Sequence, residues 1–313
     1  MRIDSPPSDQ QSSSAICPSE DSPSNQSTGE STSPTTRLGS TSSLSRDQSR
    51  KHHQPLITNA LTLKVLPRPK EADTYGDLPT GPKQKGSFRL LFNNVNGLPI
   101  NNLDQECYQI GSIADAYHLD FIGLIETNVN WQQHETRAQA HSIFKKYWPQ
   151  TIINTSSTPT LHTSKYQPGG TLSLLGNQWT GGATTINDMS GLGRWTAMSI
   201  QGRQDRKITI ITMYRVPKSS ITTTGPNTSF YYQWHHLRRQ GHLKPDPRAQ
   251  VLQDLSQFIN AQSSEHHAMV IGMDANESYT DQHSSLYKWM TQRSLVDIHM
   301  ALHDIPTTIS TYN

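Results

Sequence analysis

The residues of this chain best able to do chemistry each follow directly on an apolar run. FRLLF (88–92) leads into Asn93-Asn94-Val95-Asn96-Gly97, and LDFIGLI (119–125) into Glu126-Thr127-Asn128. KITIITM (207–213) leads into Tyr214-Arg215, and AMVIGM (268–273) into Asp274-Ala275-Asn276-Glu277. Two acids with several amides form an oxygen-rich donor set. Such a set suits a hard cation such as Mg²⁺, which takes one or two protein carboxylates and leaves its other positions to phosphate and water. Each segment alone has a plainer reading. Asn94 and Asn96 beside Gly97 read as turn residues, and Asp274-Ala-Asn276 as an Asx turn capping a helix. Glu126 reads as a solvated acid at a helix entry, and Tyr214 as a strand residue with its hydroxyl at the surface. Four such ends in one chain make coincidence the weaker account.

The elements that must position these groups alternate between strand and helix. FRLLF, LDFIGLI and AMVIGM read as buried strands. TLSLLG (171–176), RWTAMSI (194–200) and KITIITMY (207–214) are further strands, separated by Gly-rich turns. A helix from about Asn102 to His118 carries Leu103, Cys107, Ile110, Ala114 and Tyr117 on one face, with Asn102 and Gln105 as a capping box. A polar helix covers 132–147, and a short one 284–292. Another starts at Asp246-Pro247, an N-cap followed by Pro at the first helical position, and turns Val251, Leu255 and Phe258 inward. This order gives an α/β domain. In such sheets ligand-binding groups gather beyond the carboxyl ends of the strands.

Composition divides the chain. Only 32% of its residues are apolar and the mean hydropathy is −0.67, low for a fully folded protein. Position explains this. Residues 1–86 are dominated by Ser, Thr, Pro, Gln and Asn, interrupted by an apolar patch from Ile57 to Leu66, and read as a disordered tail and linker. Residues 87–313 have ordinary hydrophobic runs and form the domain. A net charge of +2 permits a polyanionic partner without requiring one. Cys17 and Cys107 can build neither a disulfide framework nor a thiolate metal site, which points to a reducing, intracellular compartment. The first residues, MRIDSPPSDQ, have no apolar signal region, and no run is long enough to span a bilayer. The expectation is a chain neither secreted nor membrane-bound.

The order and wording of the strand ends resemble the endonuclease/exonuclease/phosphatase superfamily. The carrying segments are N-V-N-G at 94–97, Glu126 after the second strand, Gly169-Gly170 before TLSLL, Tyr214 in MYRVP, Asp274 and Asn276 in VIGMDAN, and Leu295 to Met300. G-R-W at 193–195, Y-R-V at 214–216, D-P-R at 246–248 and D-A-N-E at 274–277 are most similar to the apurinic-endonuclease-like domains of non-LTR retrotransposons. The resemblance implies two packed mixed β-sheets flanked by helices, the DNase I-like four-layer sandwich. It implies Mg²⁺, or Mn²⁺ in its place, held by Glu126 and Asn94. Asp274 would orient the attacking water, Asn276 would position that acid, and Tyr214 would donate towards developing charge. Arg194, Arg215 and Asn96 would contact the phosphate. The implied partner is nucleic acid, DNA rather than RNA, and the nucleus a suitable location.

Two departures are local: Met273 stands where the family has Gly, and Asn93 where an aromatic residue often stands. A third is larger. Relatives continue into Asp- and Asp-His-bearing strands, whereas this sequence reaches its last residue, Asn313, where the first of these would begin. The resemblance therefore implies a sandwich incomplete at its C-terminus, with weak or no hydrolysis. A non-catalytic binding domain left by a mobile element is one alternative, and a phosphatase acting on a small phosphoester another. The loops at 150–170 and 216–245 would set the substrate. His235-His236 and His266-His267 read as solvated, in loops or at helix ends.

Overall fold

The computed structural model describes residues 81–99, 102–159, 164–263, 267–278, 281–298 and 301. The tail and most of the linker, His266 and the segment from 302 onward lie outside the described residues. Eight strands form two sheets. The first, in order β1-β2-β4-β3, comprises β1 (Leu90–Asn94), β2 (Phe121–Ile125), β4 (Thr171–Gly176) and β3 (Thr151–Ser156). The second, in order β5-β6-β7-β8, comprises β5 (Ala183–Asn187), β6 (Trp195–Gln201), β7 (Lys207–Tyr214) and β8 (His267–Asp274). Both are mixed. β1 and β2 run parallel, as do β7 and β8, while the remaining pairs are antiparallel.

Three apolar clusters show how the layers stack. Phe121 and Leu175 of the first sheet meet Met198, Ile200 and Ile210 of the second between the two sheets. Helices α1 (Leu103–Ala116) and α2 (His134–Tyr147) cover the outer face of the first sheet, burying Cys107, Ile110 and Phe144 against Ile122 and Leu174. Helices α4 (Pro247–Gln262) and α5 (Ser285–Gln292) cover the second, placing Val251, Leu255 and Trp289 beside Trp195 and Met213. The arrangement is two mixed four-stranded sheets flanked by helices, as expected. Packing from both sides explains why β2 and β4 are buried along their whole length rather than alternately. The space between the sheets is not wholly apolar. Ser173 Oγ lies 2.8 Å from both Thr196 Oγ1 and Thr212 Oγ1, tying the sheets with buried hydroxyls.

Gly272 is fixed by this stacking. A Cβ there would sit 2.0 Å from Cδ1 of Phe92, whose ring crosses from β1 to β8. The glycine therefore stands one place before Met273 because the aromatic ring needs its space.

Some expectations fail for physical reasons. FRLLF and AMVIGM are not fully buried. β1 begins at Leu90, and both it and β8 are edge strands with one neighbour each, so they are half-covered. Asn102 is the N-cap of α1, but its side chain makes no capping bond. Asp246 does cap α4, accepting from the backbone N–H of Arg248 and of Ala249 at 3.0 Å each. The supposed loop 216–245 contains a helix, α3 (Ser229–Arg239), on which His235 and His236 are half-buried. His267 opens β8 and bonds through Nε2 to Thr209 Oγ1 at 2.8 Å, so it is not a solvated loop residue. Among the described residues no helix is long and apolar enough to cross a membrane.

Candidate active site

Sheet register brings the strand ends together. In the first sheet Asn94 pairs with Ile125, which places Glu126 one residue beyond the end of β2. In the second Tyr214 pairs with Asp274 at the last step of the ladder. The two parallel pairs face each other across the sandwich, so their carboxyl ends meet.

Asn94 is the junction. Its Nδ2 donates to Asp274 Oδ2 at 2.7 Å and to Glu126 Oε2 at 3.1 Å, joining acids from different sheets through one amide. Its Oδ1 accepts from the Asn96 backbone N–H at 2.9 Å, which holds the amide with Nδ2 towards the acids while no cation is bound. The Tyr214 hydroxyl hydrogen-bonds to Glu126 and to the Ser229 side chain. Asp274 Oδ1 accepts from the backbone N–H of Asn276 at 3.2 Å, while Asn276 Nδ2 donates to the Arg215 carbonyl at 2.9 Å. Asn94, Glu126, Tyr214, Asp274 and Asn276 thus form one connected group. Asn96 adjoins it through its backbone.

The backbone at the site is unusual. Asn96, Glu126, Asn128 and Asn276 have φ of +46°, +54°, +53° and +48°. Asparagine tolerates this left-handed region, whereas glutamate does so at a steric cost. The surrounding structure imposes it. The Glu126 carbonyl accepts from the Gly97 N–H at 2.7 Å, and Asn128 bonds Gly169 from both sides, its N–H to the Gly169 carbonyl and its Oδ1 from the Gly169 N–H. Gly169 has room for nothing more. A Cβ on it would lie 2.6 Å from Ser229 Oγ and 3.1 Å from the Tyr214 ring. Strain held in this way by its neighbours is characteristic of functional positions.

The electrostatics are those of two half-buried acids held close together. Burial raises the Glu126 carboxyl above the ordinary glutamate range; hydrogen bonds from Tyr214 and Asn94 oppose the rise, and the Asp274 charge adds to it. Burial likewise raises Asp274, against hydrogen bonds from Asn276 and Asn94. Burial, with the Glu126 charge next to it, holds the Tyr214 phenol well above its usual range, so it remains a proton donor. The Asn94 N–H, the positive end of an amide dipole, stands between the acids where a cation would relieve the same repulsion. The residues fit a divalent ion of the Mg²⁺ type. Among the described residues no group of three or more His, Cys, Asp or Glu could hold a metal. Two carboxylates with water and substrate match Mg²⁺, while a structural Zn²⁺ needs four protein ligands.

The two arginines expected at the phosphate do not point into this group. The Arg194 side chain is fully buried, with Nε on Asp188 Oδ2 at 2.6 Å and Nη2 on Asp188 Oδ1 at 3.0 Å. Arg215 contributes its backbone, donating its N–H to the Asp274 carbonyl at 2.9 Å. Its side chain turns away to Glu277 and to Ser285 Oγ. Ser229, Asn128 and Arg248 escaped the sequence reading. Arg248 donates to the Asn276 carbonyl at 3.2 Å and to Glu277 Oε2 at 3.0 Å, stapling the 274–277 turn to the start of α4. The D-P-R wording carried that signal for Arg248. Ser229 carried none, since its role depends on where α3 packs.

No family model and no curated protein sequence matches the chain. Solved structures resemble it in part. An endonuclease/exonuclease/phosphatase family protein from Leptotrichia buccalis is 12% identical with a TM-score of 0.41, covering 67% of this chain and 76% of that one. The human Nocturnin catalytic domain, with bound sulfate, is 12% identical with a TM-score of 0.41, over 69% and 73%. The mannosyl-6-phosphatase Bt3783 of Bacteroides thetaiotaomicron is 9% identical with a TM-score of 0.39, over 66% and 71%. The fold is DNase I-like. That rests on the two mixed sheets, their facing apolar layer and the helices outside them.

Proposed function

We propose that this chain is a nucleic-acid phosphodiesterase of the endonuclease/exonuclease/phosphatase superfamily, nearest its apurinic-endonuclease-like branch, that it uses Mg²⁺ or Mn²⁺, and that its hydrolysis is weak. The observation that carries this reading is the bridging of Glu126 and Asp274 by the Asn94 amide, at the meeting of four strand ends. Glu126 would hold the ion, and Asn94 would join it by turning its amide over to present Oδ1 in place of Nδ2; the bound ion would supply Lewis-acid polarisation of a phosphoryl oxygen.

The chain's own groups account for the rest. Asp274 accepts the proton of the attacking water, and burial above the usual aspartate range makes it a better base than a free carboxylate. Asn276 fixes that carboxylate through its backbone N–H. Tyr214, kept protonated beside Glu126, directs a hydroxyl at the charge that grows on phosphorus-bound oxygen. DNA is the first substrate to try, and the nucleus or another intracellular compartment the place of action.

The test is cleavage of supercoiled plasmid and of an abasic oligonucleotide by the full chain with Mg²⁺ or Mn²⁺, with a chromogenic phosphomonoester alongside. Cleavage that falls at least about 100-fold in Asp274→Asn and in Glu126→Gln supports the reading. A chain inert on every diester, or variants as active as the parent, would leave a binding domain instead. Preference for the monoester would make it a phosphatase.

A further inference from the structure

Helix α3 is the feature that the hydrolytic reading leaves unused. Its sequence, SFYYQWHHLRR, sets four aromatic residues and two histidines in front of two arginines. Its first residue joins the site, because Ser229 hydrogen-bonds to Tyr214. Phe230 is buried with Ile125, Tyr214 and Val216, and Trp234 packs on the same cluster, so the helix is anchored to the strand ends. Anchoring uses Phe230, Gln233 and Leu237, which are buried, and leaves Tyr231, Tyr232 and His235 half-covered.

Those rings form a continuous surface. The Tyr231 and His235 centroids are 4.2 Å apart, Tyr231 and Tyr232 6.0 Å, and Trp234 and His235 5.0 Å. Tyr166, half-exposed at 50%, lies on the side of the acids, bridged to Val129 just beyond Glu126.

Charge completes the pattern. From Val216 to Pro245 there is no Asp or Glu, against 25 in the whole chain, while Lys218, Arg238, Arg239 and Lys244 all fall within it. All four are exposed. Among the described residues none of them pairs with a carboxylate; Arg238 and Arg239 donate only to backbone carbonyls. A small phosphoester needs no such extent. A row of rings ending in unneutralised cations has the chemistry of an unpaired nucleic-acid strand, whose bases stack while its phosphates are neutralised.

We infer that helix α3, with Tyr166, is the platform that binds a single-stranded or locally unpaired nucleic acid and leads it into the site. This deepens the reading above and rests on its choice of nucleic acid, but its test is independent of hydrolysis. Binding of fluorescein-labelled oligothymidylate and oligouridylate to the full chain is measured by anisotropy in EDTA, where no metal-dependent cleavage occurs. Tyr231→Ala with Tyr232→Ala weakens binding about 5- to 150-fold for each base that loses its ring. Tyr231→Phe with Tyr232→Phe retains the parent affinity, since stacking needs the ring and not the hydroxyl. Arg238→Ala with Arg239→Ala flattens the salt dependence by about 0.7 in log–log slope for each phosphate contact removed. Thermal melts check that the alanine and phenylalanine pairs are equally folded.

A perfectly paired duplex binds more weakly than either single strand and ignores the tyrosine substitutions. The inference is overturned if the parent binds no strand, or if the alanine pair binds as tightly as the parent. It is also overturned if polyglutamate binds as well as the oligonucleotides do, which would indicate an acidic protein partner. Strand binding without plasmid cleavage would sink the hydrolytic proposal and leave this one standing; cleavage with unaltered binding in the alanine pair would do the reverse.

Discussion

Removing the charge of Glu126 while keeping its shape should stabilise the metal-free protein. Legs of 2.7 and 3.1 Å from one nitrogen place the two carboxylate oxygens no more than about 6 Å apart. Like charges at that distance repel by about 3 kcal/mol at an effective dielectric near 20. Both acids keep partial access to solvent, and screening reduces the figure to about 1–2 kcal/mol. Glutamine keeps an acceptor oxygen for the Asn94 amide, so Glu126→Gln loses little there in hydrogen bonding. For a domain of this size each kcal/mol moves Tm by about 2–4 °C, so the variant should melt about 2–8 °C above the parent in EDTA at neutral pH.

Two controls sharpen this. The pKa of Glu126 is raised on folding, mainly by burial, so its stabilising contribution is complete below the unfolded glutamate value and is lost as pH rises through the folded one. The advantage of the Glu126→Gln variant should therefore grow with pH across that window and vanish below about pH 4, where both side chains are neutral. Saturating Mg²⁺ should reverse the order, raising the parent and leaving the variant unmoved. Differential scanning calorimetry reads all three. A variant that melts at or below the parent in EDTA would refute the argument that the acids repel one another.

Other consequences are as direct. Tyr214→Phe should lower diester cleavage by about 100-fold or more while leaving Mn²⁺ binding intact, because the ring remains and only the donor is lost; single-turnover rates beside metal titration will tell. Asp188→Asn strips the buried Arg194 of its closest charge and should cost about 3 kcal/mol, with Asp254 retaining a contact. Burial opposes ionisation of Asp188, but bonds from Arg194 outweigh it and hold the carboxyl below its usual range. The stability it confers is present above the unfolded aspartate value and lost as pH falls through the folded one, so the variant's acid limb in urea melts should be flatter than the parent's. Gly272→Ala drives a methyl into the Phe92 ring and should cost about 1–3 kcal/mol in urea denaturation, partly recovered by Phe92→Leu.

What the sequence displayed and what it concealed follow from the range of each interaction. β2 was legible because burial on both faces leaves an unbroken apolar run, and β4 because three leucines outweigh Thr171 and Ser173. α4 was legible because Asp246-Pro247 is a local signal that folding did not override. β1 and β8 look equally apolar, but being edge strands is a property of the sheet order. β3 and β5 went unread because Thr and Asn dilute their apolar pattern. α3 was missed because aromatic and histidine residues are mediocre helix formers, and its stability comes from packing Phe230 and Leu237. At the site, residue types at strand ends were legible one by one. That Asn94 joins acids 32 and 180 residues away was not, because it depends on how the sheets stack; the diversion of Arg194 and Arg215 to Asp188 and Glu277 was not either, because it depends on strand pairing within the second sheet.

Glu126, beside Asp274 and with the Asn94 amide turned over to offer its oxygen, is proposed to hold one divalent cation. Electron paramagnetic resonance of Mn²⁺ titrated into the full chain tests it without any need for turnover. The expected result is one bound ion per chain, displaced by Mg²⁺ and lost in Glu126→Gln, with Tyr214→Phe binding as the parent does. A chain that leaves all its Mn²⁺ free, or a Glu126→Gln variant that binds it undiminished, would contradict the account.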